Sequence, residues 1–391
     1  MARAYRYISS DAHLEIGPDR WRDRVPEKFR DRAPRLIQLE DGGDAILVES
    51  SPLLPRFAHN AGVPFEQWGP DIHTRFEDSP GAGPPAQRLR EQDRDGVDAE
   101  IIFAGVGGQA MWGNIGSEDV YNAVVRAYND FLAEDYMPAD RDRLLCMGLI
   151  PNRGVKEAMA ELERCAKLGF KGVCLSGYPA ARGLPSPEDD PFWEAALAVN
   201  MPVTIHTEFR GTPGRGDRGE RGYNLARRIS TYGVKGGPIA AALAVHGVFE
   251  RFPTLQIFIA ENQICWIPGF LQQMDLLHSR HRYFHERLQG LKPIELPPSQ
   301  YVREHISWGF MDDQFGVSVR HHIGVNRVMW STDFPHDPSD WPHSMDTVAR
   351  EFAGVPEDEK QMMVCGNAVE FFHLDVLPAA QGAQQRVAQT V

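Results

Sequence analysis

The sequence predicts an α/β fold, a (β/α)8 TIM barrel with an insertion subdomain between strands 1 and 2. Two observations predict it. Short apolar runs alternate along the chain with segments of helical periodicity, and 391 residues are enough for one large barrel with insertions. Neighbouring parallel strands need a crossover, usually a helix, so repeated strand–helix alternation favours a parallel sheet that closes on itself.

Eight apolar runs are predicted as barrel strands, because each is short and bounded by polar or turn residues. They cover residues 5–14, 99–104, 144–150, 170–175, 202–206, 255–260, 305–310 and 328–332. Amphipathic segments predict helices at 118–136, 156–168, 191–199, 240–252, 266–285, 313–323 and 357–372. A doubly wound open sheet is the main alternative. No Gly-x-Gly-x-x-Gly follows an early strand, which disfavours its nucleotide-binding form.

Two segments interrupt the alternation within a predicted single domain of residues 1–375. Residues 16–92 are too long for a strand-to-helix loop, so we expect an insertion subdomain over one barrel face, with a short strand near 45–49. Residues 209–238 are rich in Gly and Arg. They are either a solvated loop or a lid in which Arg210 binds an acidic substrate. Residues 376–391 are predicted to be a flexible C-terminal tail.

Composition excludes several partners and classes of protein. The formal net charge of −13 argues against nucleic acid and against an anionic membrane surface. No apolar stretch approaches the roughly 18 residues of a membrane span, and the amino terminus lacks a signal-peptide core. The five cysteines are odd in number and form no Cys-x-x-Cys, which predicts buried free thiols. We therefore expect a cytoplasmic protein.

Metal-ligand residue types occur at the carboxyl ends of four predicted strands, which converge on one barrel mouth. They are Asp11, His13 and Glu15 on the first strand, His206 on the fifth, Glu261 on the sixth, and Asp333 and His336 after the eighth. Taken singly, His206 could be a core histidine and Asp333 a turn residue. Together they predict a site for a divalent metal, because imidazole and carboxylate suit zinc, manganese or iron better than calcium.

Motifs along nearly the whole chain resemble one enzyme family. They lie at residues 10–13, 18–21, 90–102, 126–130, 247–253, 266–268 and 367–368. The pattern resembles the amidohydrolase superfamily, in the amidohydrolase-related group that includes aminocarboxymuconate-semialdehyde decarboxylase and the aromatic-acid decarboxylases. The resemblance implies a metal-dependent barrel enzyme but leaves the substrate open.

Position by position, the resemblance implies roles for individual residues. Asp11 and His13 fall on the family's first-strand metal pair, and His206 falls on its fifth-strand metal histidine. Asp333 falls on the aspartate that binds metal and handles a proton. The sixth strand departs from the pattern, because Glu261 stands where the decarboxylases usually carry histidine. A carboxylate donates a proton near neutral pH only if burial or a neighbouring carboxylate raises its pKa.

We therefore expect an enzyme that acts on a small organic acid, amide or lactone by hydrolysis or non-oxidative decarboxylation, with Asp333 and Glu261 as catalytic residues. The acidic mouth could also hold two ions, with Glu261 and His336 as further ligands. That arrangement favours the alternative, a dinuclear iron or iron–manganese monooxygenase on the same scaffold. A catalytically silent partner subunit is the third hypothesis. A homodimer or a complex of related subunits is expected, with a small molecule as substrate.

Overall fold

The computed structural model describes residues 4–40, 42–49, 51–53, 60–67, 75–77, 79–105, 112–210, 230–231 and 233–375. Twelve β-strands lie within these ranges. They are β1 (Ile8–Leu14), β2 (Arg35–Gln38), β3 (Asp44–Val48), β4 (Ser51–Leu53), β5 (Ala99–Ala104), β6 (Leu144–Cys146), β7 (Gly148–Ile150), β8 (Val173–Gly177), β9 (Val203–Arg210), β10 (Ile257–Ile259), β11 (Ile306–Phe310) and β12 (Val328–Trp330).

Nine of these strands form the eight-stranded parallel barrel that the sequence predicts. The order β1-β5-β6 makes one sheet and β7-β8-β9-β10-β11-β12 makes the other. Strands β6 and β7 are consecutive halves of one barrel strand, interrupted at Met147, whose backbone N–H donates to the Ile102 carbonyl at 2.8 Å. The circle closes between β1 and the segment after β12, where Ala12 bridges Phe334 in parallel. The predicted barrel is confirmed.

Twelve α-helices lie in the described ranges and mostly cover the outside of the barrel. They are α1 (Pro85–Asp95), α2 (Glu118–Phe131), α3 (Val155–Leu168), α4 (Asp190–Ala198), α5 (Gly236–Val245), α6 (Val248–Arg251), α7 (Ile267–Gln289), α8 (Pro298–His305), α9 (Gln314–Ser318), α10 (Ser344–Glu351), α11 (Glu357–Gln361) and α12 (Asn367–Phe371). Four predicted helices are interrupted. The helix predicted at 313–323 divides into α9 and a 3-10 turn at Arg320–His322. The helix predicted at 240–252 breaks at Gly247, which adopts a left-handed φ of 67°. Those predicted at 118–136 and 357–372 each contain a π-helical turn.

The region between β1 and β5 adds a small antiparallel sheet of order β2-β3-β4, which contains the short strand predicted near 45–49. Its side chains Ile46 and Val48 are buried. Trp21 packs edge-on against Tyr128 of α2, with ring centroids 5.8 Å apart. This part of the insertion therefore shares the hydrophobic core of the barrel. The rest of the insertion lies partly outside the described residues.

Two expectations from composition can be compared with the structure. All five cysteines lie in described ranges, none forms a disulfide, and all but Cys265 are buried. The prediction of free thiols is therefore confirmed. Among the helices of the described ranges, none combines the length and the apolar character needed to cross a membrane.

Glu351 at the end of α10 is buried and links stability to pH. Burial raises the pKa of its carboxyl to about 8, and the nearby Asp312 and Asp313 add to the effect, against a hydrogen bond from the Asp313 backbone N–H. A carboxyl with a raised native pKa favours the folded state when protonated. Its contribution is complete below the ordinary value of 4.5 and is lost as the pH rises towards 8.

Glu351→Gln is expected to remove this pH dependence, because glutamine keeps the acceptor oxygen without a titrating proton. The unfolding free energy of the wild type should fall relative to the variant between pH 5 and pH 8, by at most about 1.4 kcal/mol per pH unit for one proton. Urea denaturation at several pH values measures the difference. If the unfolding free energies of the wild type and the variant change equally with pH, Glu351 does not have the raised pKa assigned to it.

Candidate metal centre

Strand β1 carries the first two predicted ligands into the barrel. All seven of its residues are buried, including the polar ones. Asp11 and His13 are 0% and 2% exposed. They share one side of the strand because side chains two apart point the same way. Nδ1 of His13 lies 3.3 Å from the Ala104 carbonyl oxygen. That contact favours a proton on Nδ1 and leaves Nε2 to face the cluster.

The ligand atoms converge from three parts of the chain. Nε2 of His13 lies 3.3 Å from Oδ1 of Asp11 and 3.0 Å from Oδ1 of Asp333. Nε2 of His206, on β9, lies 3.5 Å from Oδ2 of Asp11. Adjacent ligands held about 2.1 Å from one cation are roughly 3.0–3.4 Å apart, so these separations fit one coordination sphere. The structure therefore brings together four predicted metal ligands.

Unsatisfied polar atoms at the centre provide an independent indication of a cation. Within the described part of the chain, both carboxylate oxygens of Asp11, both of Asp333 and Nε2 of His13 are buried but form no hydrogen bond of acceptable geometry. Buried polar atoms are nearly always satisfied, because an unpaired one costs about 1–3 kcal/mol. A divalent cation would satisfy all of them, so the donor set fits zinc, manganese or iron.

The electrostatics of the cluster agree with that fit. Burial alone would raise the pKa values of Asp11 and Asp333, but neighbouring imidazoles outweigh it and lower both. Burial and His336 lower the pKa of His13, yet Asp11 and Asp333 raise it to about 9. In the absence of a metal, protonated imidazole therefore neutralises part of the negative charge of the two carboxylates. A metal binds neutral imidazole, so metal binding would release those protons.

His336 extends the cluster on the Asp333 side. Its Nδ1 lies 3.2 Å from Oδ1 of Asp333 and its Nε2 lies 2.9 Å from Oε1 of Glu15. Its ring stacks on that of His13 with centroids 3.8 Å apart. Gly105 makes room for the buried Glu15, because a Cβ there would meet Oε1 at 2.1 Å. His13, Asp333 and His336 therefore form a second group of candidate ligands beside Asp11, His13 and His206.

Among the described acidic residues predicted for the site, Glu15 and Glu261 lie outside both groups. Glu261 contacts the far side of His206, with Oε2 3.6 Å from Nδ1. Its predicted roles as a ligand and as a catalytic residue stay predictions. Arg210 ends β9, but its side chain is not among the described parts of the structure. Most of the 209–238 segment also lies outside them, so the lid and its substrate-binding arginine stay predictions as well.

Both acidic strand-end residues have an unusual backbone. Glu261 and Asp333 have φ angles of 53° and 51°, in the left-handed region that costs non-glycine residues free energy. Asp333 is held in this conformation at the barrel seam, which is the junction between β1 and the segment after β12. Its N–H donates to the Asp11 carbonyl at 2.9 Å. The Asp333 carbonyl accepts from the His336 N–H at 2.8 Å. The closure of the barrel thus fixes the carboxylate against the first-strand ligands.

Arg88 on α1 is a supporting residue that the sequence analysis missed. Its guanidinium is 1% exposed and donates to Glu100 at 2.6 Å. It also donates to the backbone carbonyls of His13 at 2.9 Å and Phe334 at 3.4 Å. Arg88 therefore joins the two sides of the seam next to the metal-site residues. In the sequence, Glu100 is an acidic residue within the apolar strand β5. Such a residue indicates that a basic side chain is buried beside it.

Comparison with known proteins identifies the family and agrees with the barrel fold. The sequence model of the amidohydrolase family matches residues 70–374. An amidohydrolase from Mycobacterium avium subsp. paratuberculosis K-10 is structurally similar, with a TM-score of 0.74, 18% identity and coverage of 95% of this chain and 100% of the other. For 5-carboxyvanillate decarboxylase from Sphingomonas paucimobilis, the TM-score is 0.65 at 22% identity, covering 95% and 100%.

A third similar structure was solved with a metal. Dihydroxybenzoic acid decarboxylase from Polaromonas sp. JS666, with bound manganese and the inhibitor 2-nitroresorcinol, has a TM-score of 0.60 at 20% identity, covering 96% of this chain and 98% of the other. A search of curated proteins found no match. At these identities the structural likenesses establish the fold, whereas the sequence match spans most of the chain and establishes the family. The chain belongs to the amidohydrolase family.

Proposed function

We propose that the protein is a metal-dependent enzyme that removes a carboxyl group from a small organic acid without oxidation. The observation that carries the proposal is the buried, unsatisfied cluster of Asp11, His13 and Asp333, which His206 completes. Hydrolysis of an amide or lactone is the other reaction that such a site supports. Decarboxylation is favoured because two of the similar structures are decarboxylases of aromatic acids, one of them with manganese.

The cluster residues have distinct parts in this proposal. A divalent cation held by Asp11, His13, His206 and Asp333 would supply Lewis-acid polarisation of a substrate oxygen. When the carbon–carbon bond breaks, carbon dioxide leaves, the electron pair stays on the substrate carbon, and that carbon takes up a proton. His336 lies beside Asp333, with Nδ1 3.2 Å from its Oδ1, and its Nε2 lies 2.9 Å from Oε1 of Glu15. In this proposal its imidazole carries that proton.

The assay for this function uses a defined panel. Protein stripped with chelator and reloaded with manganese should release carbon dioxide from at least one carboxylated phenol, with 5-carboxyvanillate and 2,6-dihydroxybenzoate as the first probes. Activity should disappear on chelation and return with manganese. Aryl esters and lactones serve as the hydrolytic arm of the panel. Turnover only of esters or lactones would replace decarboxylation by hydrolysis, and activity unchanged by metal removal would contradict both.

A two-ion monooxygenase is the second candidate, and one observation favours it. His13, Asp333 and His336 form their own group of candidate ligands, and the buried Glu15 carboxylate contacts His336. Elemental analysis of protein purified without added metal distinguishes the candidates. One ion per chain supports the mononuclear enzyme, and two irons, or iron with manganese, support the oxygenase. The homodimer and the cytoplasmic location stay predictions.

A further inference from the structure

We infer that Glu261 is a positioning residue, whose carboxylate holds the Nδ1 proton of His206 so that Nε2 faces Asp11 and the cation. This inference rests on the proposed metal-dependent function and assigns a role to the residue that departs from the family pattern. It differs from the two roles expected from the sequence, because Glu261 then neither binds the metal nor donates a proton to the substrate.

The geometry around His206 supports this role. Its Nε2 lies 3.5 Å from Oδ2 of Asp11, and its Nδ1 lies 3.6 Å from Oε2 of Glu261. A neutral imidazole has one proton, and a nitrogen that binds metal must be the deprotonated one. A carboxylate beside Nδ1 stabilises the tautomer that leaves Nε2 available. Carboxylate partners of this kind orient metal-binding histidines and raise their basicity.

The same geometry argues against Glu261 as a ligand. The ring of His206 lies between Glu261 and Asp11, so the glutamate contacts the nitrogen that faces away from the cluster. Glu261 belongs to neither group of candidate ligands, whereas His206 belongs to the first. The 3.6 Å separation between Nδ1 and Oε2 is an ion-pair distance, somewhat longer than a hydrogen bond.

The turn that carries Glu261 is held on several sides, as a positioning role requires. The next residue, Asn262, is 0% exposed. Its side chain donates to the Ala260 carbonyl at 2.8 Å and accepts from the Gly236 N–H at 2.9 Å. Its backbone N–H donates to the Gly309 carbonyl of β11 at 3.0 Å. These contacts fix the left-handed backbone of Glu261 and hence the point from which its side chain reaches His206.

Two variants separate the possible roles. Glu261→Ala is expected to weaken manganese binding about 10- to 100-fold, the usual cost of losing such a partner. Glu261→Gln keeps an oxygen that accepts from Nδ1, so it should recover much of that loss. Asp312→Asn is the matched control, since it removes one negative charge from an exposed residue just after β11 that pairs with Arg350. The control should bind manganese like the wild type.

The measurement is the free manganese signal in electron paramagnetic resonance during titration of chelator-treated protein. Thermal unfolding of each variant checks folding. The expected affinity order is wild type, then Gln, then Ala. Equal affinity in all three would overturn the inference, as would a Gln variant as weak as Ala, which indicates a direct ligand. A wild type that binds no manganese would instead overturn the proposed function itself, so the two failures are distinguishable.

Discussion

Asp333→Asn is expected to lower kcat/KM for the best substrate roughly 10²- to 10⁴-fold, the range typical of disabled proton transfer, because Asp333 holds the cation and also contacts the proton-carrying His336. The reason is geometric. Oδ1 of Asp333 lies 3.0 Å from His13 and 3.2 Å from His336, so it contacts both candidate ligand groups. Asparagine keeps the shape but loses the charge and one acceptor oxygen. Steady-state kinetics with manganese-loaded protein measure the effect.

Asp346→Asn is the control for that experiment. Asp346 is highly exposed and lies at the start of α10, beyond the segment that carries Asp333 and His336. It should behave like the wild type. Manganese affinity of Asp333→Asn should also fall, since one ligand is replaced by a neutral amide. A variant with near-normal kinetics and normal manganese binding would show that Asp333 has neither role.

Arg88→Met is expected to destabilise the fold by about 3–5 kcal/mol, the usual cost of removing one partner of a buried ion pair. The methionine fills much of the arginine's volume but leaves Glu100 charged and buried. It also removes the guanidinium donor to the His13 carbonyl and the weaker of two donors to the Phe334 carbonyl, which still accepts from the His13 N–H. Urea denaturation monitored by tryptophan fluorescence measures the loss. Because these carbonyls flank the metal site, manganese affinity should fall as well.

A double variant tests whether the unpaired, buried Glu100 carboxylate causes the loss of stability. Arg88→Met combined with Glu100→Leu should recover a large part of the lost stability, because it removes both charges rather than one. Arg94→Met is the control on the same helix, since Arg94 stacks on Trp341 but has no buried carboxylate partner among the described residues. If Arg88→Met costs no more than this control, the seam contact does not stabilise the fold.

The sequence predicts the barrel well because its evidence is local. Each strand is a short apolar run, and the helix predicted at 156–168 ends at Gly169, whose left-handed φ of 85° stops it. The break at Gly247 has a local signal, the glycine itself, which the helix predicted at 240–252 passed over. The two π-helical turns could not be located from amphipathic periodicity alone. In those segments tertiary packing decides the backbone, and the side-chain pattern continues across the break.

The site was predictable only in part. Asp11, His13, His206 and Asp333 are predicted to lie together because each is at or near the end of a predicted strand, and a barrel brings strand ends together. The contact between Glu15 and His336 spans 321 positions, and the Arg88 contact with Phe334 spans 246. Such contacts depend on how the seam packs, which no local pattern encodes. Which nitrogen of His206 faces Glu261 likewise depends on the three-dimensional arrangement.

The most direct test of the account is titration of manganese into chelator-treated wild-type protein, with Asp11→Asn and His206→Ala in parallel. Saturable binding of one ion per chain is predicted for the wild type, with strongly weakened binding in both variants. Two ions per chain would retain the metal centre and support the two-ion alternative. No saturable binding, or equal binding in the wild type and both variants, would contradict the claim that these residues hold a metal.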